Sequence, residues 1–389
     1  MKKQALKRGE QMSRMEYAKL APYAMSEAQS KGRKYDENEH HYRSLFQRDR
    51  DRIIHSSAFR RLEYKTQVFV IHEGDYYRTR LTHTIEVTQI ARTISRALGL
   101  NEDLTEATAL AHDLGHTPFG HSGEAILNGL MVNKGGFEHN RQSLRIVDKL
   151  EERYYGFPGL NLTFETRECI AKHKTDYDSP ALESRDGKAS PANAEFGKAS
   201  PLMEAQVVNI ADEIAYNGHD LDDGITSGLL PLAEVKKIKM CGKLLSEIEK
   251  KYPDLPDDMK KYQLVRMVIN LLCTDIMENT DKNVKKFKIK SVEDVRKTKT
   301  DIVSFSSAIR QDNKELKSFL NENLYKHYRV LRMESKARMI IEGLFKKYLG
   351  SYGIFACFCI IRYPKEHFLS CCLVVIISFF FKLVYKIGS

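Results

Sequence analysis

An all-α fold is what the sequence predicts, and three observations predict it. Between about residues 40 and 350 the apolar side chains recur mostly three and four positions apart, glycine and proline are sparse at 22 and 10 of 389 residues, and continuous β-branched runs are few. In residues 81–98, Val87, Ile90, Ile94 and Leu98 form one helical stripe, and Gly99 supplies the break that ends it. Asn101 is the N-cap of a second helix that runs through Leu104, Thr108 and Ala111 and stops near Gly115. After Pro118, Phe119 and Gly120 a third helix starts near His121, with His121 and Glu124 on one face. A fourth, from residue 202 to about 218, buries Val207, Ile210 and Ile214 and sets Asp212 and Tyr216 on a neighbouring face.

Residues 236–299 are also helical and carry lysine clusters, for which a solvated face is the plainer explanation and polyanion binding the sharper one. Residues 179–201 are rich in Ser, Pro and Gly and contain GKASP twice, at 187–191 and 197–201. A ten-residue echo is too short for a solenoid and predicts a surface loop insertion. The expected organisation is a polar basic segment at 1–39, a helical domain at 40–350 with its core at about 78–222, and an atypical apolar tail at 351–389.

A hydrophobic content of 42% can supply a core, and a formal charge of +10 favours polyanionic ligands, nucleotide phosphates or nucleic acid. The polar, basic start lacks the apolar core that export requires, which predicts a cytoplasmic protein. Cys169, Cys241 and Cys273 are scattered, and Cys357, Cys359, Cys371 and Cys372 crowd the tail, a spacing that excludes a disulfide framework or a paired CxxC zinc site. The fourteen uncharged residues from 368 to 381 fall short of the roughly 18 to 20 that a spanning helix wants, so a membrane anchor is disfavoured.

The chemistry concentrates in HDLGHTPFGH. His112 and Asp113 supply an imidazole and a carboxylate, a mixed donor set suited to a catalytic divalent metal with open positions. His83 and Asp212, on two other helical patterns, complete a candidate H, HD, D ligand set that a helical bundle can bring around one ion. His121, oriented by Glu124, is the candidate for general acid or general base.

The stretches RTRLTHTIEV, ALAHDLGHTPFGHSGE, GGFEHNRQS and VVNIADEIAYNGHDLDD, with HSSAFRRLEYKTQVF upstream, resemble the signature blocks of the HD-domain deoxynucleotide triphosphohydrolases, the dGTPase-like family, over roughly residues 40–345. The resemblance implies an HD-domain helical bundle with additional helices, a divalent cofactor such as Mg²⁺ or Mn²⁺ on His83, His112, Asp113 and Asp212, and a homo-oligomer. It implies hydrolysis of a dNTP to a deoxynucleoside and tripolyphosphate. Arg60, Arg61 and Arg80 match family positions that face the phosphates, and His139 is a further candidate, in keeping with the planar donor fork that phosphate oxygens accept. His116 is either a phosphate contact or a structural histidine, and Lys174 is a weaker phosphate candidate.

The resemblance puts Gln67 at the base and Tyr216 under the deoxyribose, where an aromatic ring excludes a 2′-hydroxyl; Asp220 either completes the sugar contacts or caps its helix. Past Lys347 the likeness stops: the polar block with a DYIAGMTD-like motif found in bacterial relatives has no counterpart, although in the family it serves the pocket and subunit contacts. Two alternatives stand beside the triphosphohydrolase. One is another HD phosphohydrolase such as a nucleotidase; the other is a nucleotide or single-stranded nucleic acid binding protein whose turnover the altered C-terminus impairs.

Overall fold

The computed structural model describes residues 20–66, 78–174 and 195–350, with helix but no strand among them. Only isolated bridges occur, pairing Arg33 with Thr163, Thr66 with Thr79 and Glu152 with Gly159. The all-α expectation therefore holds. Gln67, residues 179–194 of the expected insertion, and the tail at 351–389 lie outside the described residues.

The helices that position the site are α1 (Leu45–Ile54), α2 (Ser57–Arg61), α3 (Arg80–Ala97), α4 (Glu102–Ala111), α5 (Gly120–Leu130), α6 (His139–Arg145), α7 (Phe164–Ala171) and α8 (Met203–Thr226). They are followed by α9 (Leu232–Val235), α10 (Lys239–Lys251), α11 (Asp257–Lys286), α12 (Val292–Lys297), α13 (Ser307–Leu320) and α14 (Tyr328–Gly350). Thr79 caps α3 by accepting from the Thr82 amide, and Asn101 caps α4 by accepting from the Leu104 amide, each worth about 1 kcal/mol. Gly99 between them turns the chain at φ +68°, a conformation that costs a side-chain-bearing residue more.

The fourth expected helix is longer than its pattern suggests. It ends at Thr226 rather than near Gly218, because Gly218 is a point of close approach and not a breaker: a Cβ there would lie 3.1 Å from Ile269 of α11.

Four apolar clusters hold the described helices together, and three of them bear on the site. Val87, Ile90 and Ile94 of α3 interlock with Val207 and Ile214 of α8, then with Leu264, Val268 and Leu272 of α11 and Leu316 of α13. Leu110, Leu114, Leu144, Leu160 and Ile170 make a second core under α4, α6 and α7, and Ile126, Leu127 and Phe137 meet Ile341 and Phe345 of α14 in a third. Each fully buried Leu or Ile contributes roughly 1.5–3 kcal/mol relative to exposure.

Residues 20–39 run along this body: Met25 is buried, its amide donates to Glu204 at 2.9 Å, and Arg33 pairs with buried Asp49 at 2.6 Å. In the lysine-rich region Lys236, Lys237, Lys239 and Lys260 each meet a carboxylate at 2.7–3.0 Å. Among the described residues no helix is long and apolar enough to cross a membrane. Cys169, Cys241 and Cys273 are buried free thiols.

Candidate active site

Three helices converge on one buried cluster. α3 delivers His83 from its first turn, the turn after α4 delivers His112 and Asp113, and the middle of α8 delivers Asp212. His83 Nε2 lies 2.8 Å from Asp212 Oδ1 and 3.9 Å from Asp113 Oδ2; His112 Nε2 lies 3.5 Å from Asp113 Oδ1 and 3.7 Å from Asp212 Oδ1. Donors bonded at about 2.1 Å to one divalent ion stand about 3.0–3.4 Å apart; the contacts here, at 2.8–3.9 Å, bracket that spacing, and the trios His83–His112–Asp113 and His112–His173–Asp212 each bring donor atoms close enough to hold an ion.

The orientation of His112 agrees. Its Nδ1 lies 2.6 Å from the Ala109 carbonyl, to which it donates, which leaves Nε2 bare. That nitrogen is buried and has no hydrogen-bond partner, a costly arrangement unless a Lewis acid takes its lone pair. Burial lowers the pKa of His112 and so keeps the lone pair available. Burial works against ionising Asp113, but Arg80 first, then His112 and His83, outweigh it and hold the carboxyl below its usual range. Two imidazoles and two carboxylates suit a divalent first-row metal or Mg²⁺.

A second group adjoins the first across Leu114 and Gly115. His116 Nε2 lies 3.3 Å from Asp113 Oδ1, and its ring stacks on His139 at a centroid distance of 4.0 Å. Glu124 of α5 accepts from the His139 amide at 2.9 Å and lies 3.1 Å from His139 Nδ1, whereas His121 Nδ1 stands 3.7 Å away. The sequence suggested that Glu124 orients His121; the carboxylate engages His121 and, through amide and ring, His139 as well, a second partner the sequence did not suggest. Burial disfavours the Glu124 anion, yet His121 and His139 outweigh it and hold the carboxyl well below the normal range. His116 is buried, and burial, then Arg80 and His139, push its pKa well below that of a free imidazole.

Backbone geometry aims these groups. Gly115 lies against α6 so closely that a Cβ would sit 2.1 Å from the His139 carbonyl and 2.3 Å from the Ser143 amide. Phe119 adopts φ +65°, uncommon for a bulky residue, and starts α5 so that His121 follows within its first turn.

The candidate nucleotide contacts divide. Arg80 is buried and its Nη1 donates to Asp113 Oδ2 at 2.7 Å, a use the sequence did not suggest. Arg61 is half-buried and Arg60 exposed at the end of α2, and neither has an ion-pair partner among the described residues. Tyr216 is half-buried beside His83, with ring centroids 6.4 Å apart. Asp220 is buried in mid-helix, where it accepts from the Tyr325 hydroxyl, so helix capping is not its role; burial raises its pKa to about 8. Lys174 is exposed, joined to Asn209 through its backbone amide at 3.4 Å.

Three residues at the site carried no sequence signal. His173, after α7, sets Nε2 3.6 Å from Asp212 Oδ2 and its ring 5.1 Å from His112. His219 lies 3.2 Å from His83, nitrogen to nitrogen. Lys65 is buried, donates to the Leu114 carbonyl at 3.1 Å, and is lowered to about 7 by burial and by Arg80. A lone His or Lys on a helical or loop pattern is ordinarily a satisfied structural residue, and only the fold reveals these neighbours.

Comparison with known proteins agrees with this geometry. Residues 80–217 match the HD domain, and residues 303–353 match the phosphohydrolase-associated domain. A deoxyguanosinetriphosphate triphosphohydrolase-like protein of Thiobacillus denitrificans is 52% identical over 348 residues, 90% of this chain and 89% of that one. Proteins described in the same words from Geobacter metallireducens and Geobacter sulfurreducens are 50% and 49% identical, with 86% and 87% of this chain and 85% and 86% of theirs aligned.

Proposed function

Because the chain belongs to the deoxyguanosinetriphosphate triphosphohydrolase-like family of HD-domain phosphohydrolases, we propose that it hydrolyses a dNTP to a deoxynucleoside and tripolyphosphate. The observation that carries the reading is the set of four donor atoms from His83, His112, Asp113 and Asp212, with the bare His112 Nε2 among them, beside a second group of proton-bearing histidines. In this reading those four side chains hold a divalent ion, Mg²⁺ or Mn²⁺. Such an ion supplies Lewis-acid polarisation of an α-phosphate oxygen and acidifies a water toward the neutral range.

The chain's own residues do the rest. Hydrolysis breaks the bond between the α-phosphorus and O5′ and forms one from water oxygen to phosphorus, so one proton leaves the water and another reaches O5′. His121, with 39% of its side chain exposed, and buried His139 flank Glu124 at 3.7 and 3.1 Å, and the carboxylate keeps an imidazolium favourable while the proton is in transit. Arg60, Arg61 and His116 serve the phosphates, Arg80 shares itself between them and Asp113, and Gln67, Tyr216 and Asp220 serve the nucleoside.

The test is product identification with dGTP and Mn²⁺ or Mg²⁺. Deoxyguanosine with tripolyphosphate supports the proposal; dGMP with pyrophosphate overturns the bond assignment, and hydrolysis confined to monophosphates favours a nucleotidase. Four of the lysines that suggested nucleic-acid binding, Lys236, Lys237, Lys239 and Lys260, are paired with carboxylates, and a salt titration of oligonucleotide binding tests that alternative. Sedimentation analysis tests the homo-oligomer that belongs to the same proposal.

A further inference from the structure

His83 has two ring nitrogens, and only Nε2 faces the donor cluster. The other, Nδ1, lies 3.2 Å from Nδ1 of His219, in a contact buried on both sides, with the two rings edge-on. His219 turns its Nε2 to the carboxylate of Glu86. Arg78 holds that carboxylate at 3.3 Å and also donates to Asp222 and Asp223 at 2.9 and 2.6 Å. Glu86 and His83 stand three positions apart on α3, and His219 reaches between them from α8.

We propose that His219, braced by Glu86, is a positioning residue that fixes the tautomer of His83 so that Nε2 presents a lone pair to the donor cluster. The hydrogens along this chain of contacts can be counted. A carboxylate paired with an arginine only accepts, so the hydrogen in the Glu86 contact belongs to His219 Nε2. The Nδ1 of a neutral His219 is then bare and must accept, so the hydrogen between the two rings belongs to His83 Nδ1. A neutral His83 that carries hydrogen on Nδ1 has a bare Nε2. His83 Nε2 also lies 2.8 Å from Asp212 Oδ1, a contact satisfied by a hydrogen on Nε2 or by a cation that takes its place; in either case the hydrogen on His83 Nδ1 stays directed at His219. His112 reaches the same state through the Ala109 carbonyl, so both imidazoles of the cluster have their tautomers set from behind. Outer partners of this kind orient a ligand and raise its basicity, and their loss weakens metal binding by about 10–100-fold.

The inference rests on His83 being a ligand, as proposed above, and the experiment separates the two. Mn²⁺ affinity is titrated by electron paramagnetic resonance for the unaltered protein, His83→Ala, His219→Ala and His219→Asn, each below its melting transition as followed by circular dichroism. The expected result is that His219→Ala binds Mn²⁺ about 10–100-fold more weakly and that His219→Asn, whose Oδ1 replaces the lost acceptor, recovers much of the affinity. A purely structural role would lower the melting temperature without that recovery. If His83→Ala binds Mn²⁺ as the unaltered protein does, the ligand assignment fails. If His83→Ala loses the ion while His219→Ala keeps it, or if Asn binds no better than Ala, the positioning role is overturned. Should His219→Ala not fold, Glu86→Ala, at a position with a 42% exposed side chain, carries the test: it must weaken binding, and unchanged affinity overturns the proposal.

Discussion

The His83–His112–Asp113–Asp212 group and the His116–His121–Glu124–His139 group flank the Leu114-Gly115 turn and are built from the same two kinds of side chain. Both have donor atoms close enough to invite an ion. They differ in where hydrogen sits. In the first, a backbone carbonyl holds the back of His112, whose front nitrogen is buried without a hydrogen-bond partner. In the second, the carboxylate is already engaged by His139 through amide and ring, and His121 stands half-exposed. Proximity of histidines and carboxylates alone therefore does not distinguish a ligand set from a proton-transfer set. What lies behind each imidazole does.

The largest effect expected from this contrast comes from His112→Ala or Asp212→Ala. Each should lose metal, measured by elemental analysis of the purified protein, and lose dNTP hydrolysis with it. His121→Ala should retain its metal while turnover falls by on the order of a hundredfold or more; equal metal loss in all three variants would erase the distinction between the groups. Gly115→Ala probes the turn that joins them. The added methyl must displace the His139 carbonyl and α6, so we expect about 1–3 kcal/mol of destabilisation by thermal denaturation, with turnover reduced more than metal affinity. The reverse order would mean that the turn serves the ligand set.

The smallest effect lies outside both groups, at Asp220. Burial raises its folded pKa to about 8 from the ordinary carboxyl value of 3.8. Between those values the folded state holds a proton that the unfolded state lacks, so this residue's contribution makes stability fall as pH rises from about 4 to about 8. Asp220→Asn should flatten that slope in melting temperature without removing metal, and an unchanged slope would show that Asp220 is ionised when folded.

Much of the fold was legible. Asn101 and Gly99 bounded their helices as capping chemistry requires, and the H, HD, D pattern picked out four side chains that the fold gathers. Where the sequence misled, a long-range contact was responsible. Gly218 resembles a stop, but it is the place where α11 packs against α8. Arg80 looks like a free phosphate ligand until Asp113 is found beside it, and Glu124, which faces His121 by helical spacing, also accepts from the incoming backbone of α6. His219 is silent because its meaning depends on a nitrogen 136 positions away in the chain.

The third core has a consequence of its own. α5, which carries His121 and Glu124, is roofed by α14 through Ile341 and Phe345 and through the hydroxyl of Ser122 donating to Glu334, whereas the ligand-bearing stretches of α3 and α8 belong to a different core. A substitution that loosens that roof, such as Phe345→Ala, should therefore disturb the proton-transfer residues before it disturbs the ligand set.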